Sequence, residues 1–160
     1  KNLHHNTWIK DFTIKNDYKN TINVNIVESI PIGIYFNGED NLLFDKNGEV
    51  IDFLNSNYNL YFDLIIFEGN NSLFNANIFL YLLPLTLRNE IKKAIYINNR
   101  RWDVKLRNGI NIKLSEKNIL DSFNNYDKFY KNVSSQELAE IEMIDLRIPK
   151  QIIIKFKAIK

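Results

Sequence analysis

The chain has 160 residues, a length that fits one globular domain, or one domain together with a fragment of a second. Hydrophobic residues make up 45% of the sequence and charged residues 25%, which excludes a collagen and a disordered tail. The absence of cysteine excludes disulfides, thiol nucleophiles and thiolate metal sites. A formal charge of +2 is too small to indicate a nucleic-acid or membrane-surface partner by itself.

The longest apolar run, residues 78–83, ends at Pro84 and is far shorter than the roughly 20 residues that span a bilayer. Lys1 is neither an initiator Met nor the start of a charged and then apolar leader. We therefore expect the chain to be part of a longer protein.

The first elements are predicted to be strands. Ile22, Val24 and Ile26 alternate with other residues, which predicts a half-buried strand, and a shorter strand through residues 12–14 precedes it. Residues 16–20 would join the two strands as a hairpin. Pro31 cannot donate to a strand ladder, so it indicates a module boundary before alternation resumes at residues 32–36.

The middle of the chain combines a hairpin, a strand and two helices. Residues 42–44 and 49–52 flank a turn at 46–48, and residues 61–67 predict a nearly continuous apolar strand. Asn77 can cap a helix that Pro84 must kink or divide. Ser115 can cap a second helix, whose apolar stripe is predicted to be core: Ile119, Phe123, Tyr126 and Tyr130.

Two later hairpins can be aligned by pairing their apolar faces. A three-residue loop at 107–109 would pair Leu106 with Ile110 and Val104 with Ile112, and it predicts a positive φ at Gly109. A similar loop at 149–151 would place residues 144, 146 and 148 opposite 156, 154 and 152. The element order predicts an α+β fold: a hairpin, then a largely antiparallel β-domain with two main helices.

Candidates for catalysis or ligand binding are weak. His4 and His5 are adjacent, so their side chains point apart and do not suit a metal-chelating pair. Ser134 and Ser135 have no histidine near them in sequence that could form a Ser-His-Asp arrangement. Glu137, Glu140 and Glu142 fit a solvated helix end better than an acid and base pair. Basic residues 92, 93, 100 and 101 bracket Tyr96 and Trp102, a mixture that could stack on single strands. We predict no catalytic, metal, cofactor or nucleic-acid site.

Three motifs resemble one known family. Residues 100–106 read Arg-Arg-Trp-Asp-Val-Lys-Leu and precede Asn108-Gly109 and an apolar strand; residues 144–147 read Ile-Asp-Leu-Arg and precede Pro149 and a strand ending at Phe156. Residues 27–32, Val-Glu-Ser-Ile-Pro-Ile, form a third motif. In their order along the chain these motifs resemble those of the bacterial cell-division family FtsQ/DivIB, in which residues 27–32 would join a POTRA module to a β-domain.

The resemblance implies a division of the chain into residues 1–30, the C-terminal part of a POTRA domain, and residues 31–160, the β-domain. It also implies a single-pass protein of the inner membrane, with this segment on the periplasmic side and the membrane anchor upstream. Members of the family are not enzymes. They recruit and hold FtsB, FtsL and other divisome proteins, and so help to control septal peptidoglycan synthesis.

In the family, FtsB adds a strand to the final strand of the sheet. Matching by motif gives these predicted partner-binding residues: Ile148, Lys150, Gln151, Ile152, Ile154 and Phe156. A last strand has backbone groups that can accept another strand, and Lys155, Lys157 and Lys160 would attract acidic partner residues. The family often has Gly where this chain has Gln151, so either the turn differs or residue 150 or 151 is strained.

Two alternatives stay open. Another POTRA-associated protein that handles unfolded polypeptide, in outer-membrane assembly or secretion, would have tandem POTRA repeats upstream. A hydrolase of cell-wall sugars would need two carboxylates that converge in a cleft.

Overall fold

A computed structural model describes residues 6–54 and 60–158, which form eleven strands and four helices. The N-terminal elements are β1 (Ile9–Asn16), β2 (Ile22–Glu28), β3 (Gly33–Phe36), β4 (Asn41–Phe44), β5 (Val50–Phe53) and β6 (Ile66–Glu68). The central elements are α1 (Ser72–Leu82), α2 (Leu85–Arg88), β7 (Ile91–Ile97), β8 (Arg101–Leu106) and β9 (Asn111–Lys113). The C-terminal elements are α3 (Ile119–Tyr130), α4 (Ser135–Glu140), β10 (Ile141–Asp145) and β11 (Ile153–Phe156).

The strands form two sheets. β1 and β2 make a separate antiparallel hairpin, and the other nine strands form one sheet in the order β11-β10-β9-β8-β7-β6-β3-β4-β5. Five of the eight neighbouring pairs in the large sheet are antiparallel, whereas β10–β9, β7–β6 and β6–β3 are parallel. The α+β class is confirmed, and the sheet is more mixed than predicted because two helical connections, α1–α2 and α3–α4, return the chain parallel to a neighbouring strand.

The main core lies between the helices and one face of the large sheet. Phe67 stands at its centre, with edge-to-face ring contacts to Phe44, Phe79 and Trp102 at centroid distances of 5.6, 6.0 and 5.7 Å. Trp102 is therefore a core residue. A second, smaller cluster is built on Ile34, Leu43 and Ile51.

The central hairpin has the predicted register. Val104 lies opposite Ile112, the Leu106 amide donates to the Ile110 carbonyl at 2.8 Å, and Gly109 has a φ of +95°. The apolar residues of both strands consequently face the core. The β4–β5 hairpin is also confirmed, with Gly48 at a φ of +80° in its turn.

Both predicted helix caps are wrong. The first helix begins at Ser72, so Asn77 lies inside it, because Ser72 and Ala76 extend the buried stripe towards the N-terminus. Pro84 does divide this region into two helices. The second helix is capped by Asn118, whose side chain accepts from the Asp121 amide at 3.3 Å.

The structure differs from prediction at three further places, two in burial and one in where a strand begins. Tyr130 is exposed at the end of α3, although Phe123 and Tyr126 are buried as expected. The predicted strand 61–67 begins only at Ile66, because the chain turns where the Leu64 amide donates to the Tyr61 carbonyl.

The third difference is in the N-terminal hairpin. The hairpin itself is confirmed, but β2 is exposed along its whole length rather than half-buried. Its apolar residues Ile22, Val24 and Ile26 point to one face, which the described residues leave largely exposed. A two-stranded sheet buries such residues only when another layer packs on it. No helix within the described ranges is long and apolar enough to cross a membrane.

Candidate partner-binding edge of the sheet

The final strand, β11, is the outermost strand at one edge of the nine-stranded sheet. Its inner neighbour is β10, with Ile144 opposite Ile154 and Asp145 opposite Ile153. In the described part of the chain no strand pairs with the other side of β11. An edge strand of this kind leaves one row of backbone donors and acceptors unpaired.

The predicted register of this hairpin is wrong by two residues. Sequence pairing placed Ile148 opposite Ile152 across a three-residue loop, whereas β10 ends at Asp145 and β11 begins at Ile153. Because the shift is even, Ile154 still lies on the face that packs against the core. The shift is associated with a long connection, residues 146–152, and with a bulge on β10 where Met143 lies opposite Lys155 and Ile141 lies opposite Phe156.

Backbone direction along β11 follows from two hydrogen bonds outside the regular ladder. The Lys157 amide donates to the Glu140 carbonyl at 2.8 Å, so the backbone groups of residue 157 face β10. On the opposite side of β10, the Leu146 amide donates to the Lys113 carbonyl of β9 at 2.9 Å. Since backbone groups alternate in direction along a strand, residues 153 and 155 also face β10. The N–H and C=O groups of Ile154 and Phe156 are therefore directed away from the sheet.

The connection before β11 contains a tight turn at residues 148–151. The Gln151 amide donates to the Ile148 carbonyl at 3.2 Å, Pro149 occupies the second position, and Lys150 has a φ of +64°. This is the pattern of a type II turn, in which the third position favours Gly. The strain that the sequence indicated at residue 150 or 151 thus falls on Lys150.

An ion pair holds the start of this connection. Both Asp145 oxygens accept from the Arg147 guanidinium, with a shortest distance of 2.6 Å, and Asp145 also accepts from the Arg147 amide at 3.1 Å. Asp145 is only 7% exposed. Hydrogen bonds from the Arg147 side chain hold the pKa of Asp145 below its ordinary value, although burial acts in the opposite direction. The predicted motif residues therefore form a structural ion pair.

The predicted partner-binding residues divide between the connection and the strand. Ile148, Lys150, Gln151 and Ile152 lie in the connection and are exposed, whereas Ile154 is partly buried against the core. Phe156 is 56% exposed at the end of β11. The sequence could not show which of these residues directs its backbone outward, because that depends on the two-residue register shift.

Two of the three lysines predicted to attract an acidic partner are engaged within the chain. Lys155 pairs with Glu142 at 2.8 Å, and the Lys157 side chain donates to the Ala139 carbonyl. Their predicted role as charges that attract an acidic partner is therefore weaker than expected. Lys160 lies outside the described residues.

The acidic cluster near α4 has structural roles. The Ser134 hydroxyl accepts from the Glu137 amide at 3.2 Å, and the Glu137 carboxylate accepts from the Ser134 amide at 3.0 Å. This capping box could have been found from the sequence Ser-Ser-Gln-Glu, which sequence reasoning missed. Hydrogen bonds from the Ser134 amide and hydroxyl lower the pKa of Glu137 below its ordinary value.

The basic and aromatic cluster is likewise paired within the protein. Arg101 contacts Asp103 at 3.2 Å, Lys93 pairs with Glu68, and the Tyr96 ring stacks on buried Trp102 at a centroid distance of 4.6 Å. The His4–His5 pair lies outside the described residues. Within residues 6–54 and 60–158, no three His, Asp or Glu side chains form a group that could hold a metal ion.

The geometry defines an α+β domain with a mixed sheet and an unpaired C-terminal edge strand. A family model described as "Cell division protein FtsQ/DivIB, C-terminal" matches residues 34–147. Cell division protein FtsQ from Rhizobium radiobacter is 33% identical over 114 residues, which cover 70% of this chain and 53% of that protein. FtsQ from Rickettsia bellii (strain RML369-C) is 29% identical over 152 residues, covering 90% and 54%.

The chain therefore belongs to the FtsQ/DivIB family of cell division proteins. It spans about half the length of the two relatives described above, and it covers 35% of FtsQ from Agrobacterium fabrum (strain C58 / ATCC 33970), to which it is 33% identical over 114 residues. The family match ends at Arg147, so residues 148–152 of the connection and the whole of β11 lie beyond it. This assignment favours the division hypothesis over another POTRA-associated protein.

Proposed function

We propose that this chain is a non-enzymatic scaffold of the division machinery, and that β11 binds a segment of FtsB, within the FtsB and FtsL complex, by strand addition. The protein would be a single-pass protein of the inner membrane, with this part on the periplasmic side and its anchor upstream. The observation that carries the proposal is the edge position of β11, with the backbone groups of Ile154 and Phe156 directed outward.

Backbone pairing alone would give only part of the affinity. Two outward-facing residues offer four hydrogen-bonding groups, and each net hydrogen bond contributes about 0.5–1.5 kcal/mol before the cost of ordering the partner. Apolar side chains beside the edge must supply the rest. Ile152, immediately before β11, and Phe156, at the end of β11, are both exposed, and a partner strand could pack on this apolar surface.

The proposed absence of enzymatic activity has its support in the acidic side chains. The hydrolase hypothesis needs two carboxylates that converge in a cleft. Near the C-terminal strands, Glu137 completes a helix cap, and Glu142 and Asp145 are each paired with a basic residue. Asp45 and Glu49 do line one cavity, where Asp45 is paired with Lys10.

The proposed domain division assigns residues 1–30 to the end of a POTRA domain and residues 31–160 to the β-domain. It is supported by the exposed apolar face of β2, which the rest of such a domain would cover. In a longer version of the protein that includes the preceding residues, the β2 amides should exchange hydrogen more slowly than in this chain. Equal exchange in the two proteins would contradict the proposed division.

Strand addition can be tested by removing one outward backbone donor. Phe156→Pro removes the outward N–H, which an edge strand tolerates because that group faces solvent. Phe156→Ala is the matched control, since it removes the same ring and keeps the N–H. We expect Phe156→Pro to bind an FtsB peptide about tenfold more weakly than Phe156→Ala, measured by calorimetric titration, with both variants folded by circular dichroism.

The register of β11 also defines which result would reject strand addition. Equal affinity of the two folded variants would show that the outward N–H of residue 156 makes no contact with the partner. Proline at residue 153 or 155 is a poorer test, because those N–H groups face β10 and their loss would disrupt β11 itself.

A further inference from the structure

A small cavity is lined by α2, by α3 and by Glu90, the residue just before β7. Leu87 and Phe123 give it a buried apolar surface, and Tyr126 and Tyr130, one turn apart on α3, add two aromatic rings. Its volume is about 90 Å³. A drug-sized ligand needs about 300 Å³ or more, so this cavity admits only the end of one side chain.

The hydroxyl of Tyr126 has no partner in this cavity. Tyr126 is only 5% exposed, and in the described part of the chain its hydroxyl makes no hydrogen bond. Among the described side chains, only the Ser72 hydroxyl is both unpaired and sealed from solvent, so the Tyr126 hydroxyl opens into the cavity. Burial, together with nearby Tyr130 and Glu90, raises the pKa of Tyr126 and keeps its hydroxyl protonated. Buried phenols normally find a hydrogen-bond partner, so this one is available to a ligand.

The two charged residues of the lining are both acidic. Asp127 is already paired with Lys131 at 2.6 Å, whereas the exposed Glu90 carboxylate has no hydrogen bond or ion pair within residues 6–54 and 60–158. The nearest bases do not neutralise Glu90. Arg88 does not line the cavity, and the Arg107 guanidinium donates to three backbone carbonyls. A cation that enters the cavity therefore meets one uncompensated carboxylate.

We propose that this cavity binds an arginine side chain of a partner polypeptide. The guanidinium would donate to the Glu90 carboxylate and to the Tyr126 hydroxyl oxygen, while its plane stacks on the Tyr130 ring and its aliphatic stem contacts Leu87. Arginine suits these groups better than lysine, because a guanidinium is planar, stacks on aromatic rings and is more weakly hydrated than an ammonium group. Only the end of the side chain fits, so the rest of the ligand lies outside the cavity.

Other occupants fit the lining less well. An anionic group would lie beside two carboxylates, those of Glu90 and Asp127, with no basic residue in the lining. An apolar side chain would exclude water and leave the Tyr126 hydroxyl buried without a partner, which is costly. Both comparisons favour a cation with several hydrogen-bond donors.

The arginine site is separate from the proposed FtsB site. None of its lining residues belongs to β10 or β11, and β7 is four strands from β11 in the sheet. A peptide bound in the cavity would therefore shift the amide signals of α2 and α3 and leave those of β11 unchanged. Failure of strand addition at β11 would not affect this proposal.

Titration with short peptides tests which side chain the cavity selects. The probes are acetylated and amidated Gly-X-Gly peptides, in which X is arginine, citrulline, lysine or leucine, added to the whole chain labelled for two-dimensional NMR. We expect the arginine peptide to bind in the millimolar range and to shift the amides of residues 84–90 and 123–130 most. Citrulline has nearly the same shape without the charge, so its peptide should bind about fivefold more weakly.

A charge variant at the rim tests the role of Glu90. Glu90→Gln keeps the shape of the side chain and should weaken binding of the arginine peptide about fivefold. Glu39→Gln is the matched control, because it removes the same charge from an exposed side chain in the β3–β4 turn. It should leave the affinity unchanged.

Tyr126→Phe separates a binding role from a structural one. It removes the hydroxyl and keeps the ring, so we expect about threefold weaker binding of the arginine peptide. The free energy of unfolding should stay the same, because the hydroxyl has no partner to lose within the described part of the protein. A hydroxyl with a structural role would give the opposite result, lower stability with unchanged affinity.

Several outcomes would overturn the proposal. Equal binding of the arginine and citrulline peptides would remove the role of the charge, and tighter binding of the leucine peptide would make the cavity an apolar site. Equal binding of the lysine peptide would remove the selection of arginine. Unchanged affinity of Glu90→Gln, or largest amide shifts outside residues 84–90 and 123–130, would place the arginine elsewhere.

Discussion

The two edges of the nine-stranded sheet differ in what the chain itself places against them. At the β5 edge, the Trp8 indole N–H donates to Asp52 at 2.9 Å, and Trp8 packs against the small cluster that includes Ile51. Nearby, Lys10 pairs with buried Asp45 at 2.8 Å. At the β11 edge, no strand of the described chain pairs with the outer side of β11, which is held to β10 by the backbone ladder and by the ion pair of Lys155 with Glu142.

The difference indicates how one sheet can have a closed edge and an open one. Exposed edges favour unwanted pairing, so proteins cover them or interrupt them. Here the segment before β1 covers part of β5, while β11 is short and its bulged neighbour β10 is anchored by Asp145. The open edge is thereby fixed in position without being covered, which suits a strand that accepts a partner.

The largest predicted effect is at the covered edge. Trp8→Ala removes both the hydrogen bond to Asp52 and the packing on the small cluster. Because Trp8 is only partly buried, we expect a loss of about 2–3 kcal/mol in the free energy of unfolding, less than for a fully buried Trp. Denaturant unfolding measures this loss, and hydrogen exchange should show faster exchange of the β5 amides.

Trp8→Phe is the matched control for this prediction. It keeps an aromatic ring on the cluster and removes the indole donor, so it should cost about 1 kcal/mol. If Trp8→Ala leaves the exchange of β5 amides unchanged, the N-terminal segment does not protect that edge, and the comparison between the edges fails.

The next effect is at the open edge and depends on pH. Asp145→Asn keeps the shape of the side chain and removes its charge, leaving Arg147 without its partner. We expect a loss of about 2 kcal/mol in unfolding free energy at pH 7, together with faster exchange of the β11 amides. Asp127→Asn, which breaks an exposed pair with Lys131, should cost less than about 0.5 kcal/mol.

The sign of the pH dependence follows from the pKa of Asp145. Its pKa in the folded protein is below the ordinary value of 3.8, so its contribution to stability is complete above that value. The contribution is lost as the pH falls through the lower, folded pKa. The stability difference between the native protein and Asp145→Asn should therefore shrink below pH 3.8, and a constant difference down to pH 2 would contradict this account.

Much of the fold could be predicted from alternation of apolar residues. The central hairpin is correct because Val104 and Leu106 have apolar partners in only one register with a short loop. The N-terminal hairpin was found but its burial was not, because alternation reports which residues share a face and not whether another layer covers that face. The first helix start was wrong because Asn is frequent in this chain, and its presence at residue 77 therefore says little about caps. The second cap was predicted at Ser115, three residues before the actual cap at Asn118.

The candidate edge was only partly predictable for a related reason. The alternation of side chains along a strand predicted which residues of β11 face the core. A register shift of two residues leaves that alternation unchanged. The shift itself could not be predicted, because it depends on where β10 ends at Asp145 and on the bulge at Met143. Backbone direction, on which the proposed binding depends, follows from that shift.

The smallest predicted effect is at the turn that leads into the open edge. Lys150→Gly relieves a positive φ of +64° at the third position of the turn, which should add about 0.5–1 kcal/mol to the unfolding free energy. Gln151→Gly is the control, because residue 151 has no positive φ and Gly there only increases the freedom of the unfolded chain. If Gly stabilises the protein at residue 151 and not at residue 150, the turn has the family geometry. The register of β11 proposed for partner binding would then shift together with the turn.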